Sequence, residues 1–439
     1  MGDRRTARAK APAGGFRAAW SLLGRNRDFR RLFLASVISL GGDWFLFVAI
    51  GSLVLEHTDR DIFLGLLILS QELAFFAASP LAGVLADRID RRRLMIVCDL
   101  ARAVLCVAFL VVGASTIWVA YPLLAMLSLF AAPFDAAAPA AIPNLVEPDD
   151  LATANAIGGS LWGTMLAVGA AIGGVVTATL GHDTAFLIDA GSFVVSAGLL
   201  LGIRRSFSAR EPREVDHPSL RVAAVQTVAY ARRDHRVLAL LAVKGGFGMA
   251  AGVLALIPIF AESVFDAGEI GIGLLMACRG VGALIGPFLG HRLSGPNHER
   301  LYSSIGGSLV VFGLGYLTLG LAPALGVAMV SVFVAHLGGG SQWVLSTYGL
   351  QVIVPDHIRG RIFGVDLAFI TLSLGLSSLG AAWMADALGP RTAAFILAGV
   401  ALTWAGVWWI ATRSVRRRSP FDTADGTAPS IPPQTLAIE

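Results

Sequence analysis

Apolar residues run in long blocks along this chain, with polar residues gathered in short stretches between them. The sharpest boundary is at residues 83–95 (GVLADRIDRRRLM), where four arginines and two aspartates separate an apolar run over 62–86 from one over 94–114. Two runs of about 20 apolar residues joined by a tight basic turn read as a membrane hairpin with its turn in the cytoplasm. The same grammar recurs and predicts twelve spanning helices, at 33–55, 62–86, 94–114, 119–140, 154–179, 185–203, 237–261, 271–290, 301–320, 326–348, 365–388 and 392–412.

Composition agrees. The 439 residues are 55% hydrophobic and 15% charged, against roughly a quarter charged in soluble domains. Twelve spans place both termini on one side. Of the 34 Lys and Arg, 29 lie in the two termini and in the loops that share their side, while the opposite loops hold only Arg60 and Arg391. That bias puts the termini in the cytoplasm. The basic balance, with a pI near 9.2, is thus a matter of topology, and no nucleic-acid partner is implied. Cys98, Cys106 and Cys278 fall inside apolar runs with no metal-ligand spacing, so packing is their expected role.

The chain divides into a basic, irregular N-terminal segment (1–31), six spans (32–203), a polar linker (204–236), six more spans (237–412) and a tail expected to be disordered (413–439). Within the linker, 220–233 reads as a helix lying at the membrane surface. The halves match each other. Pro80 and Gly83 recur as Pro287 and Gly290, and Pro148 recurs as Pro355, all 207 residues on; Ala190 recurs as Ala398 after 208. One near-constant offset marks a duplicated six-helix unit, and parallel repeats place a binding site near the midplane between them. The fold class is therefore all-α integral membrane, two pseudo-symmetric six-helix bundles.

At this point the sequence resembles the major facilitator superfamily. Residues 83–95 are similar to that family's loop between helices 2 and 3, G-x-L-a-D-r-x-G-r-k: Gly83, Leu85, Asp87, Arg88, Arg91 and Arg92 fit, and Asp90 stands where the pattern has Gly. Residues 25–32 (RNRDFRRL), 42–44 (GDW), 142–146 (IPNLV) and 354–364 (VPDHIRGRIFG) resemble the enterobactin- and macrolide-exporter branch. Residues 169–174 (GAAIGG) resemble the antiporter motif G-P-x-x-G-G with Ala170 in place of Pro, and close helix packing is the favoured role for these glycines. The resemblance implies that segments 1, 4, 7 and 10 line a central cavity. It also implies a cytoplasmic gate, with Asp87 at the start of the eleventh helix near Gly364 and with Arg88, Arg91 and Arg92 pairing with acids such as Asp366. A bacterial inner-membrane location follows from the same likeness.

Ionisable groups inside spans are costly and so mark function. Asp43 lies about ten residues into segment 1, near the midplane. A carboxylate held out of water favours its protonated form, so it can load and release a proton as solvent access alternates. The competing role is a structural carboxylate that caps a break at Gly41 and Gly42 or pairs with an arginine. Glu72 and Asp135 are further proton-coupling candidates. Lys244, Arg279 and Gln342, with Trp44 and Trp343 as stacking surfaces, are substrate-cavity candidates. Glu72 and Arg279 are repeat equivalents, as are Asp135 and Gln342. Asp99 and Arg102, three apart on one helix, are expected to pair. Trp118, Trp404, Trp408 and Trp409, near segment ends, suit interfacial anchoring, and His336 is read as a packed or hydrogen-bonded histidine.

The function expected is secondary active transport: proton-coupled efflux of a small amphipathic compound, a drug or siderophore, by a monomer that needs no cofactor. No G-x-x-x-x-G-K-[ST] is present to power ATP-driven pumping, and no catalytic constellation suggests an enzyme. Import or lipid flipping on the same fold is the alternative, and a membrane scaffold or sensor is a third; mid-membrane Asp43 and Glu72 argue against the last.

Overall fold

The computed structural model describes residues 16–205, 230–295 and 300–416. Among them, twelve helices are long and apolar enough to cross a membrane: Arg27–His57, Ile62–Ala86, Arg91–Val111, Ile117–Leu145, Pro148–Leu180, His182–Leu201, His235–Val264, Gly268–Ser294, Leu301–Leu321, Leu325–Ile353, Arg361–Leu388 and Pro390–Ala411. We number these spans one to twelve. All the regular structure in the described residues is helical, as expected where water cannot satisfy backbone groups.

Packing repeats between the halves. The second span lies on the fourth as the eighth lies on the tenth; the third packs on the sixth as the ninth packs on the twelfth; the first packs on the fifth and sixth as the seventh packs on the eleventh and twelfth. The two bundles meet chiefly along two seams, fifth against eighth and second against eleventh, which the same pseudo-two-fold exchanges. Even the turns match. Gly181 and Gly389, 208 residues apart, join the last two spans of each half at φ of 83° and 86°, a left-handed backbone that glycine adopts without strain.

Several helix ends depart from the hydropathy reading. Within the N-terminal segment expected to be irregular, Phe16–Arg25 is a helix; Leu22 is buried in it while Trp20 is 62% exposed. Asn26 then caps the first span, its side chain accepting from the Phe29 N–H at 2.9 Å. The eleventh helix begins at Asp356, directly after Pro355, rather than near Gly364. Both extensions are polar enough to stand outside the apolar core, so hydropathy did not register them. The expected disordered tail starts with a helical turn, Arg413–Arg416. The surface helix expected over 220–233 falls largely outside the described residues, as do residues 1–15 and 417–439.

The seventh span is broken. It runs as helix to Ala250, resumes at Val253–Ile259 and closes in a π-helical turn, Phe260–Val264. Ser377 of the eleventh span enters the break, accepting from the Gly252 N–H at 2.8 Å and donating to the Met249 carbonyl at 2.6 Å. A side chain that satisfies freed backbone groups is what allows a kink inside a membrane. Trp404 and Trp408, expected as lipid-facing anchors, instead turn inward and donate to the seventh-span carbonyls of Ala242 and Ala239 at 3.1 and 2.8 Å.

Candidate functional site

The two ends of the molecule differ. At the end away from the termini, bonds cross between bundles. The Asp386 carboxylate of the eleventh span accepts the backbone N–H groups of Asp61 and Ile62 at 2.6 and 3.0 Å, with Arg60 Nε 3.5 Å away. It thereby caps the second span from the opposite bundle. His182 lies 3.8 Å from Glu269, across the other seam. At the end bearing the termini, a cavity of about 420 Å³ extends from Phe29 and Ile142 inward to Asp43, Arg102 and Asp135. This arrangement is shut at the far end and open toward the termini.

The deep wall of that cavity is a cluster of charges. Arg102 is 2% exposed, with its guanidinium between the rings of Phe193 and Phe134 at 4.2 and 4.7 Å. It donates to Asp99 at 2.6 Å and to Ser39 at 3.3 Å, and Asp43 lies 3.9 Å away. Asp99 also accepts from Ser196 at 2.6 Å, so both its oxygens are engaged. Asp43 has only the long contact and faces the cavity. No helix break accompanies it, since the first span runs unbroken through Gly41 and Gly42. The glycine serves a close approach: a Cβ on Gly42 would come within 2.3 Å of the Asp189 and Ser192 side chains.

Asp189, fully buried on the sixth span, accepts from the Cys106 thiol at 3.1 Å and from Ser192 at 3.3 Å. The sequence reading passed it over, although the rule that singled out Asp43, an acid deep in an apolar run, applies equally to it.

In the second half, Lys244 is bonded to Asp366 and donates to Thr347 at 3.0 Å; its ammonium stands 4.8 Å from the centre of the Trp343 ring. Asp366 is therefore taken up inside the membrane in this state, which is open at the end where the basic loop lies, and the gate contacts expected on closure are not made. The earlier helix start carries Asp366 ten residues into the eleventh helix. Arg279 donates to His336 Nε2 at 3.2 Å, and its guanidinium faces Trp162 of the fifth span at 5.4 Å. Glu72 is half-buried against Gly375. Gln342 is 0% exposed, and neither amide atom has a partner among the described residues. Trp44 meets Trp162 edge-to-face at 6.0 Å, its Nε1 likewise without a partner.

In the basic loop, Arg91 donates to the carbonyls of Ala86 and Ala140 at 3.1 and 2.7 Å, and Arg92 to that of Ile203 at 2.7 Å. Arg88 is exposed, and Gly83 faces open space. The Asp87 side chain lies outside the described residues. Asp90, the departure from the loop pattern, caps the third span by accepting from the Arg93 N–H at 3.0 Å.

The model of the Major Facilitator Superfamily matches residues 32–365 and 265–437. This chain belongs to that family. It is a multi-pass membrane transporter of small molecules, not an enzyme. Relatives in the superfamily include the MFS-type transporter YfiS of Bacillus subtilis, 27% identical over 87% of this chain and 93% of its own. The enterobactin exporter EntS of Shigella boydii is 30% identical, over 79% and 82% of the two chains. The multidrug efflux pump Tap of Mycolicibacterium fortuitum is 24% identical, over 82% and 89%. Among solved structures, a bacterial homologue of the lysosomal transporter Spinster, in an inward-facing and unoccupied conformation, superposes with a TM-score of 0.72 at 16% identity, covering 93% of this chain and all of that one. That likeness concerns the fold alone.

Proposed function

We propose that this transporter is a monomeric, proton-coupled exporter of small amphipathic compounds in the bacterial inner membrane, with both termini in the cytoplasm. The observation that carries the reading is the cavity that runs from the termini-bearing end to Asp43 and Asp135 while the far end is bonded shut. With the termini inside, this is the cytoplasm-open state of an alternating-access cycle. The relatives named exporters and efflux pumps favour export as the direction.

Asp43 is the leading proton carrier, because it reaches the cavity and lacks the close pairing that engages Asp99. Asp135 and Glu72 are the next candidates. Lys244, Arg279, Gln342, Trp44 and Trp343 are assigned to the substrate path. Gly83, Asp87, Arg88, Arg91 and Arg92 form the cytoplasmic gate, which would close when the bundles, 32–203 and 237–412, rock about their seams on the 204–236 linker. Each proton moving inward supplies about 2.3 kcal/mol per 100 mV and about 1.4 kcal/mol per pH unit, enough for a roughly hundredfold substrate gradient.

Everted vesicles carrying a respiration-driven pH gradient test this, with a quenching dye and a panel of drugs and siderophores. Substrate-induced dequenching is expected in the wild type and absent in Asp43→Asn. Dequenching that survives in the variant makes Asp43 structural and passes the role to Asp135 or Glu72; silence across the panel removes support for export.

A further inference from the structure

Arg102, Lys244 and Arg279, each buried well inside a span, are partnered unequally. Arg102 has Asp99 at 2.6 Å and Lys244 is bonded to Asp366. Arg279 has, among the described residues, no carboxylate within 4.0 Å.

What it does contact is neutral. His336 Nδ1 lies 3.0 Å from the Val332 carbonyl. A carbonyl only accepts, so Nδ1 carries the proton. Nε2 receives the Arg279 Nε–H at 3.2 Å and must present its lone pair. A histidine with both nitrogens committed in this way holds the guanidinium in place and offsets none of its charge. The Tyr316 hydroxyl, 3.3 Å from the same Nε2, adds none either. The guanidinium faces the ring of Trp162 at 5.4 Å; Trp162 is 45% exposed and has Trp44 beside it.

An arginine inside a membrane without an anion in contact is costly, and its planar fork matches a carboxylate. We propose that Arg279, held by His336 and faced by Trp162, docks the anionic group of the transported compound. The compound is a flat or aromatic organic carboxylate. The proposal rests on the transport reading above and narrows its substrate class.

The test measures binding to the full-length protein in nanodiscs, by calorimetry. The probes are salicylate and 1-naphthoate, their primary amides, and tetraphenylphosphonium. The carboxylates are expected to bind about tenfold or more tighter than their amides, the margin of a charge-assisted hydrogen-bonded pair. That preference should vanish in Arg279→Gln and weaken in Arg279→Lys. Equal binding of acid and amide by the wild type, including no binding of either, overturns the proposal, as does a preference that survives Arg279→Gln. Because acid and amide are compared on the wild type, an unstable Arg279 variant does not block the result. Failure here leaves the export reading intact if vesicles still show proton-linked movement of neutral or cationic compounds. Selective carboxylate binding without proton movement by any compound would do the reverse.

Discussion

Carboxylates of one chemical type hold different positions here, and hydrogen-bond count separates them. Asp99 accepts from Arg102 and Ser196 at 2.6 Å each, with no exposure left; Asp43 and Asp135 border open space. Asp99 with Arg102 is thus the structural member of the cluster. Removing one partner of such a pair strands the other, whereas replacing both with apolar side chains is close to neutral. Arg102→Met is therefore expected to lower stability by about 3 kcal/mol or more, read as thermal unfolding of the solubilised protein. Asp99→Leu combined with Arg102→Met should recover most of the loss. Recovery failing in the double variant would give Arg102 a role beyond its pairing with Asp99. Residue type and depth made these charges legible in the sequence, and i, i+3 spacing made the Asp99–Arg102 pair legible. Spacing says nothing about Lys244 with Asp366, which lie 122 residues apart. That contact exists only because the seventh and eleventh spans pack together, so Asp366 was sought at the gate.

The spans were readable to within a few residues because the bilayer demands about 20 apolar residues of each. What extends past the apolar core has no such signal, which is why Phe16–Arg25 and the first turns of the eleventh helix were missed. The break at Gly252 was illegible for another reason: its cause is Ser377, supplied by a different span. The far-end closure is also a matter between elements. Asp386 caps the second span across the seam, so Asp386→Ala should release that helix end and shift the molecule toward opening at the far side. Asp61 makes the same closure sensitive to pH. Burial, and then the charge of Asp386, push its carboxyl up to about 6 from an ordinary value near 3.8. A raised value means the closed form holds the proton more tightly. This contribution to closure is complete below about 3.8 and is lost as pH rises through about 6. Spin labels at Thr116 and Leu321, read by pulsed electron resonance, should show the far end opening between pH 5 and 7. In Asp61→Asn, which mimics the protonated state, that pH response should shrink and closure should persist at pH 7. An unchanged response would remove Asp61 from the pH dependence of closure.

At the scale of the molecule, alternating access opens the two ends in turn, and this state is the one open at the termini-bearing end. The pseudo-two-fold makes the bundles alike in backbone, but their charges are not. The first half gathers Asp43, Asp99, Asp135 and Asp189 around one arginine, while the second holds a neutral Lys244–Asp366 pair and Arg279 with a neutral histidine. Which compartment the open end faces depends on sidedness, which rests on the basic residues. Single cysteines on a background lacking Cys98, Cys106 and Cys278 decide it. Ser115→Cys, in the exposed turn between the third and fourth spans, should react with an impermeant maleimide in intact cells. Glu147→Cys, exposed at the termini-bearing end, should react only after permeabilisation. The reverse pattern would turn the cavity outward. The same shut and open ends would then describe the outward-open state, and the vesicle experiment would have to be repeated with right-side-out membranes.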